Sequence, residues 1–304
     1  MTYSQQIKNE FCQCKLHCKR CAGALLYGML LFGKGGEGRT VSFTTENKEA
    51  AYLFAHTVID LTGAIVTVAE PDLRVKNKRP QYSVTVDDEN YADTIRRLFW
   101  KNGKEDHDWI QPEMVGRECC AMAFLRGAYL ACGTMIDPAK EYHLEFAVAS
   151  ESLCDDLIGL LDEYDLDFRK SVRMKKLIVY TKESNQIEDF LARTGAVRSS
   201  MDLMNLKIEK ELRNKVNRVT NCETANIGKT VNASMEQIRK IRLIQEKQGL
   251  EQLPLQLKEA ARLRLENPDA SLRELCEMTG GKISRSGWNH RLQKLCELAE
   301  KLEE

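Results

Sequence analysis

No apolar run in this chain reaches the roughly 18 residues that a membrane-spanning helix needs, so it carries no candidate for a helical membrane span. The first residues, MTYSQQIKNEF, lack the basic start and apolar stretch of a secretory signal peptide, and a cytoplasmic protein is expected. Net charge is absent too, because 45 Lys+Arg balance 45 Asp+Glu. The balance is uneven along the chain. From Asn205 onward there are 19 Lys+Arg against 15 Asp+Glu, and before it 26 against 30. So mild a lean points to an acidic partner only where the basic residues cluster. Cysteine, by contrast, is plentiful at 11 of 304 residues. A chain this long has room for a real core and does not need disulfide staples. Cys119, Cys120, Cys132, Cys154, Cys276 and Cys296 lie in apolar helical patterns, where a thiol behaves as a small hydrophobe. Reduced thiols are the expectation.

The stretch Glu118–Pro138, ECCAMAFLRGAYLACGTMIDP, has a partner near the N-terminus. Ala24–Gly35 lies in register with Ala123–Thr134 at an offset of 99 residues, and Cys21-Ala22 falls over Cys120-Ala121 without a gap. Both copies are apolar nearly all round, which calls for burial on several sides. Each holds a central glycine, Gly28 or Gly127, that costs about 1 kcal/mol relative to alanine in a helix. Close approach of two backbones justifies that cost. The spacing therefore predicts two small-residue helices packed through their glycines on a pseudo-twofold axis.

Downstream of each helix the pattern repeats. After the turn Lys34–Gly38, the first copy reads as strand Arg39–Thr45, helix Lys48–Leu61 with Asn47 as cap, strands Ala64–Ala69 and Gln81–Val86, and helix Tyr91–Trp100, broken at Asn102-Gly103. The second reads as strand Tyr142–Val148, with Phe146 in the place of Phe43, helix Ser152–Tyr164, strands Phe168–Arg173 and Leu177–Thr181, and helix Asn185–Thr194. Basic residues join the later strands in both copies, at Arg74–Arg79 and at Arg169–Lys176. Alternating strands and capped helices in this order predict an α+β domain over residues 1–202, built of repeats at about 18–102 and 117–198. Residues 203–250 follow as a helical connector. Asn217–Asn226 is rich in residues that favour caps over helix interiors, so the connector is read as two helices joined there, serving either as a phosphate-contacting arm or as a solvated linker.

Cys12, Cys14, His17, Cys18 and Cys21 offer enough ligands for tetrahedral zinc. Their spacing is not that of the usual paired knuckles, and Cys21 belongs to a buried helix. Thiols at a helix N-terminus, with no metal and no cofactor, are the expected arrangement.

Residues 251–304 form the third part. Leu255–Asn267 is an amphipathic helix ended by Pro268-Asp269, and Ser271-x-x-Glu274 is a capping box opening a short helix, Ser271–Met278. Thr279-Gly280-Gly281 turns the chain, and Ser284 caps a helix running to about Lys301. A short helix, a glycine turn and a longer helix make a helix-turn-helix pattern. In the last helix Trp288, Leu292, Leu295, Cys296 and Ala299 share one face, which must be packed. No acidic residue occurs between Glu277 and Glu297. That absence leaves Lys282, Ser284, Arg285, Ser286, Asn289, His290, Arg291 and Lys294 as candidate contacts to phosphates and base edges, with Ser271 at the start of the preceding helix as a further one.

The paired helices resemble the signature helices of LAGLIDADG homing endonucleases, in the pattern Leu-x-Gly-x-x-x-x-acid-Gly. Leu125-Arg126-Gly127 with Gly133, and Leu26-Tyr27-Gly28, carry the likeness. In those nucleases the acid holds a divalent metal against the scissile phosphate. Gly33 and Cys132 stand at those positions, with Lys34 beside one of them. Neither offers the hard oxygen that Mg²⁺ requires. The runner-up acids for an active nuclease, Glu37 and Asp137, lie past the helix ends and in no paired register.

A nuclease-like domain without its acids, followed by a helix-turn-helix, resembles the WhiA family of bacterial regulators of sporulation and cell division. Cys119-Cys120 before Phe124–Gly127, Asn217-Arg218 with Asn221–Asn226, Asn267–Leu272 and Ile283–Leu292 are the specific matches. Arg20-Cys21 departs from that family's usual Cys-Cys pair. The resemblance implies a non-enzymatic, nucleoid-associated transcription regulator. Its partner would be double-stranded DNA at promoter sites, with another transcription regulator as a further candidate. It implies no catalytic residue, no small-molecule substrate and no membrane. A division-assembly protein is the alternative outside gene regulation.

Overall fold

The computed structural model describes residues 2–33, 40–71, 80–100 and 109–303. Its first unit, Met1–Glu209, opens with a helix that the pattern of the sequence did not announce, α1 (Tyr3–Cys12). Thr2 caps it by accepting the Gln5 amide, and Ile7 and Phe11, one turn apart, are its buried residues. The first repeat then runs α2 (Lys19–Phe32), β1 (Val41–Thr45), α3 (Lys48–Thr62), β2 (Thr67–Ala69), β3 (Tyr82–Val86) and α4 (Glu89–Phe99). A single turn, α5 (Pro112–Val115), precedes the second repeat. That repeat comprises α6 (Glu118–Cys132), β4 (Gly133–Met135), β5 (Leu144–Val148), α7 (Glu151–Asp162), β6 (Arg169–Arg173), β7 (Lys176–Thr181) and α8 (Ser184–Thr194).

The expected order of helices and strands is present, with β4 added at the exit of α6. Three residues beginning at a glycine carry too little pattern to be recognised as a strand. The expected turn at Lys34–Gly38, the basic loop at Arg74–Arg79 and the break at Asn102-Gly103 lie outside the described residues. The sheets are antiparallel, in the orders β1-β3-β2 and β4-β5-β7-β6. Phe43 pairs with Val84 in the first, and Phe146 with Val179 in the second. All four side chains are inaccessible to solvent, so corresponding strands point corresponding residues into the core.

Between the sheets α2 and α6 pack backbone to backbone. A Cβ placed on Gly28 would lie 2.3 Å from the Phe124 carbonyl oxygen, and one on Gly127 would lie 2.1 Å from the Leu25 carbonyl oxygen. Each glycine admits the other helix, which is the reciprocity a twofold axis demands. Aromatic clusters flank the crossing. Tyr27 meets Phe99, Trp100 and Phe124, while Tyr129 meets Phe11, Phe146 and Phe190. The Tyr27 hydroxyl accepts the Gln111 amide at 3.2 Å and donates to the Trp109 carbonyl at 3.3 Å, so the buried phenol keeps its hydrogen bonds.

The connector corrects the expectation. One helix, α9 (Val197–Lys247), runs through all 51 residues. Asn217–Asn226 does not interrupt it: Thr230 returns its hydroxyl to the Asn226 carbonyl four residues back, at 2.9 Å. Cap-favouring side chains weaken a helix by tenths of a kcal/mol each, and only proline breaks one outright. The stretch has no proline. The start of α9 has a distant cap. Glu10 of α1 accepts the Arg198 and Ser199 amides at 2.6 and 3.0 Å and the Ser199 hydroxyl at 2.7 Å. The residue before the helix is Ala196, which cannot cap, so a carboxylate supplies the missing acceptor.

In the second unit, Lys210–Glu304, Ile241 and Ile244 of α9 join a core with three further helices, α10 (Leu255–Glu266), α11 (Leu272–Met278) and α12 (Arg285–Glu303). Both halves of the capping box on α11 are present. Gly280 and Gly281, at φ of 63° and 73°, make the turn between α11 and α12. Trp288, Leu292, Leu295 and Ala299 are buried as expected, and Cys296 is half-buried beside them. Arg264 is buried as well, 2% exposed. It reaches the Ala270 carbonyl at 2.5 Å and the Ser234 hydroxyl at 3.3 Å, and thereby ties α10 to α9 and to the entry of α11.

Candidate nucleic-acid interface

The candidate contacts of the second unit lie on and just before α12. Ser284, Arg285, Ser286, Asn289, His290 and Lys294 are exposed, Arg291 is half-buried, and Lys282 stands exposed in the turn before the helix. Trp288 and Leu292 fix the rotation of α12, so these residues share the side away from the core. The cations on this face, Lys282, Arg285, Arg291 and Lys294, have no carboxylate partner among the described residues, whereas Arg239 pairs with Glu236 and Glu303, and Arg262 with Glu251. Ser284 caps α12 by accepting the Gly287 amide at 3.2 Å, and its hydroxyl meets that of Ser286 at 3.1 Å.

Ser271 is less available than the sequence suggested. Its hydroxyl accepts the Glu274 amide at 3.3 Å, and its own amide is held by the Glu274 carboxylate at 2.7 Å. Those hydrogen bonds hold the Glu274 carboxyl below the usual carboxylate range. Ser271 thus starts α11 with its hydroxyl and its amide.

In the first unit the basic hairpin β6–β7 is a second cationic surface. Met174 and Lys175, at φ of 49° and 63°, form its turn, and Arg173, Lys175 and Lys176 are exposed. Lys170 is already engaged, at 3.0 Å from Glu151 and 2.7 Å from Asp155.

The helix ends that would hold metal in a nuclease are unsuited to it. A Cβ on Gly33 would lie 2.4 Å from the Met29 carbonyl oxygen, so an acid does not fit there without displacing the turn. Burial pushes the Cys132 thiol up to about 12, which keeps it neutral near pH 7. Lys8 donates to the Leu130 carbonyl at 3.1 Å beside this end of α6, where burial lowers its pKa. Asp137 is occupied with a turn, accepting the Ala139 amide at 2.9 Å, and Glu37 lies outside the described residues.

The cysteines are sorted differently from their order in the chain. Cys14 donates to the Gly195 carbonyl at 3.3 Å, and burial pushes the Cys12 thiol up to about 12. His17 is exposed. Cys18 and Cys21 instead meet Cys119 and Cys120 across the axis, with all four Sγ atoms within 4.8 Å of one another. The ligands weighed within Cys12–Cys21 are thus not gathered together, and the thiols that do meet are drawn from both repeats. Their signal was the offset of 99, which lays Cys21 over Cys120. A hydrogen bond with Cys21 holds the Cys18 thiol down at about 6, and burial pushes Cys120 up to about 12.

Comparison with known proteins gives two family matches. Residues 216–299 fit the WhiA C-terminal HTH domain, and residues 121–213 fit the WhiA LAGLIDADG-like domain. The probable cell division protein WhiA of Ruminiclostridium cellulolyticum is 34% identical over 308 residues, covering 99% of this chain and 98% of that protein. Its counterpart in Thermoanaerobacter pseudethanolicus is 39% identical over 275 residues, covering 88% and 86%. Among solved structures, full-length DUF199/WhiA from Thermatoga maritima superposes with a TM-score of 0.61 at 24% identity over 99% of each chain. The fold is thus a LAGLIDADG-like N-terminal domain followed by a helical C-terminal HTH domain.

Proposed function

The chain belongs to the WhiA family, and we propose that it is a sequence-specific, DNA-binding transcription regulator acting in cell division, chromosome segregation or sporulation. In this reading α12 enters the major groove of promoter DNA, and the nuclease-like domain is a scaffold that does not cleave. The observation that carries it is the exposed face of α12, where Arg285, Asn289, His290 and Lys294 are exposed and neither Arg285 nor Lys294 is ion-paired among the described residues. Free amides at the first turn, with Ser284, Ser286 and Arg285, suit phosphate. Asn289, in the second turn, suits a base edge. The relatives' name, cell division protein, supports the cellular role. No described helix is long and apolar enough to cross a membrane, which suits a protein that works on the nucleoid, with another transcription regulator as a further partner.

Asn289→Ala tests it. A bidentate base contact is worth roughly 1–3 kcal/mol of discrimination, so the variant should bind cognate and scrambled duplexes nearly alike in fluorescence anisotropy. Intact preference would move the reading surface to the hairpin at Arg173–Lys176. For the nuclease-like domain, supercoiled plasmid should survive Mg²⁺ and Mn²⁺, even in Gly33→Asp with Cys132→Asp. Metal-dependent linearisation that persists through purification would restore the endonuclease. Equal affinity of the wild-type chain for every duplex would favour a division-assembly protein that touches DNA incidentally.

A further inference from the structure

The start of the α2/α6 pair carries a constellation that DNA binding does not use. Cys18 is the residue before α2 and Cys21 its third, while Cys119 and Cys120 are the second and third residues of α6. The Sγ of Cys18 lies 3.4 Å from that of Cys21 and 3.8 Å from those of Cys119 and Cys120. A tetrahedron of thiolates with metal–sulfur bonds of about 2.3 Å has edges of about 3.8 Å. The widest separation in the group, 4.8 Å, leaves room for one ion and not for a multi-iron cluster. A disulfide needs sulfurs about 2.05 Å apart. No pair approaches that distance, and all 11 cysteines are free.

We propose that Cys18, Cys21, Cys119 and Cys120 bind a single zinc ion that fastens the starts of α2 and α6 together. Four protein sulfurs fill the coordination sphere and leave no open position, so the site is structural, not catalytic. On binding, the four thiols give up their protons to solvent and become thiolates, and the centre carries a formal charge of −2. Its surroundings suit that charge. Two helix N-termini point their positive ends at it, neither has a side-chain cap, and Lys19 and Arg20 adjoin the ligands in the chain, with Arg117 and Glu118, of opposite charge, preceding Cys119. Two of the ligands come from each repeat, so the ion closes the pseudo-twofold unit at the end opposite Gly33 and Cys132.

The test uses the full chain, stripped with chelator, reloaded with zinc, desalted and analysed for metal. About one equivalent is expected in the wild type, in Cys12→Ser and in Cys14→Ser, falling below about one tenth in Cys18→Ser and Cys120→Ser. Should the last two fail to fold, cobalt loading of the wild type decides the matter. A tetrahedral thiolate spectrum, with intense visible ligand-field bands and near-ultraviolet charge transfer, is expected, and zinc should bleach it. Less than a tenth of an equivalent of zinc in the reloaded wild type overturns the proposal, as does cobalt without charge transfer. Loss of metal in Cys12→Ser as large as in Cys18→Ser overturns it too.

Discussion

Helices α6 and α12 both bury apolar side chains, and they do so in opposite ways. In α6 every residue from Cys120 to Leu130 is buried. In α12 only Trp288, Leu292, Leu295 and Ala299 are, one stripe on 19 residues. A helix enclosed on all sides has each side chain committed to shape. A helix with one packed stripe has the rest of its surface for recognition. The contrast puts the fold's determinants in the first unit's central pair, and leaves the outward side of α12 exposed for the recognition proposed above.

Substitutions can break that contrast. Gly28→Ala with Gly127→Ala should have the largest effect, because each Cβ would enter a backbone carbonyl that cannot move aside. Overpacking typically costs 1–3 kcal/mol even where side chains can adjust, so we expect no folded first unit for the pair. A cooperative urea transition with wild-type midpoint in the double variant would refute the close approach. Next comes Trp288→Ala, which empties the largest buried side chain of the second unit and should cost about 3–5 kcal/mol. It should abolish DNA binding through the loss of fold, visible as an early thermal transition. Lys294→Ala should have the smallest effect and no consequence for stability. Its signature is uniformly weaker binding to all duplexes and a salt slope reduced by about one. A drop in melting temperature as large as that of Trp288→Ala would show that this side of α12 is not free.

How much of this was legible in the sequence differs by feature. The glycine crossing was, because apolar residues all round a helix with a glycine at matched positions leave few other packings. The buried stripe of α12 was also readable from its helical spacing, together with the capping box and the glycine turn. The cysteine group was not. Cys119-Cys120 and Cys18-x-x-Cys21 each read as small hydrophobes or helix-start thiols until folding brings positions about a hundred residues apart into contact. The continuity of α9 was misjudged for another reason. Cap-favouring residues at Asn217–Asn226 signal a break only locally, whereas a helix 51 residues long averages such preferences away. At Ser271 the structure adds a second use that the sequence also announced, the capping box that opens α11.

The cap that Glu10 places on α9 has a consequence for the order in which the protein is made. Its two halves are 188 residues apart in the chain. Synthesis proceeds from the N-terminus, so α1 emerges long before the amides it must satisfy and waits while both repeats are produced. Only when Arg198 and Ser199 leave the ribosome can the long helix acquire its first-turn acceptor. Helix α1 thus acts as a latch closed only near the end of the unit. A nascent chain halted before α9 would expose Glu10, with Ile7 and Phe11 beside it seated against a buried core that lacks only Leu203.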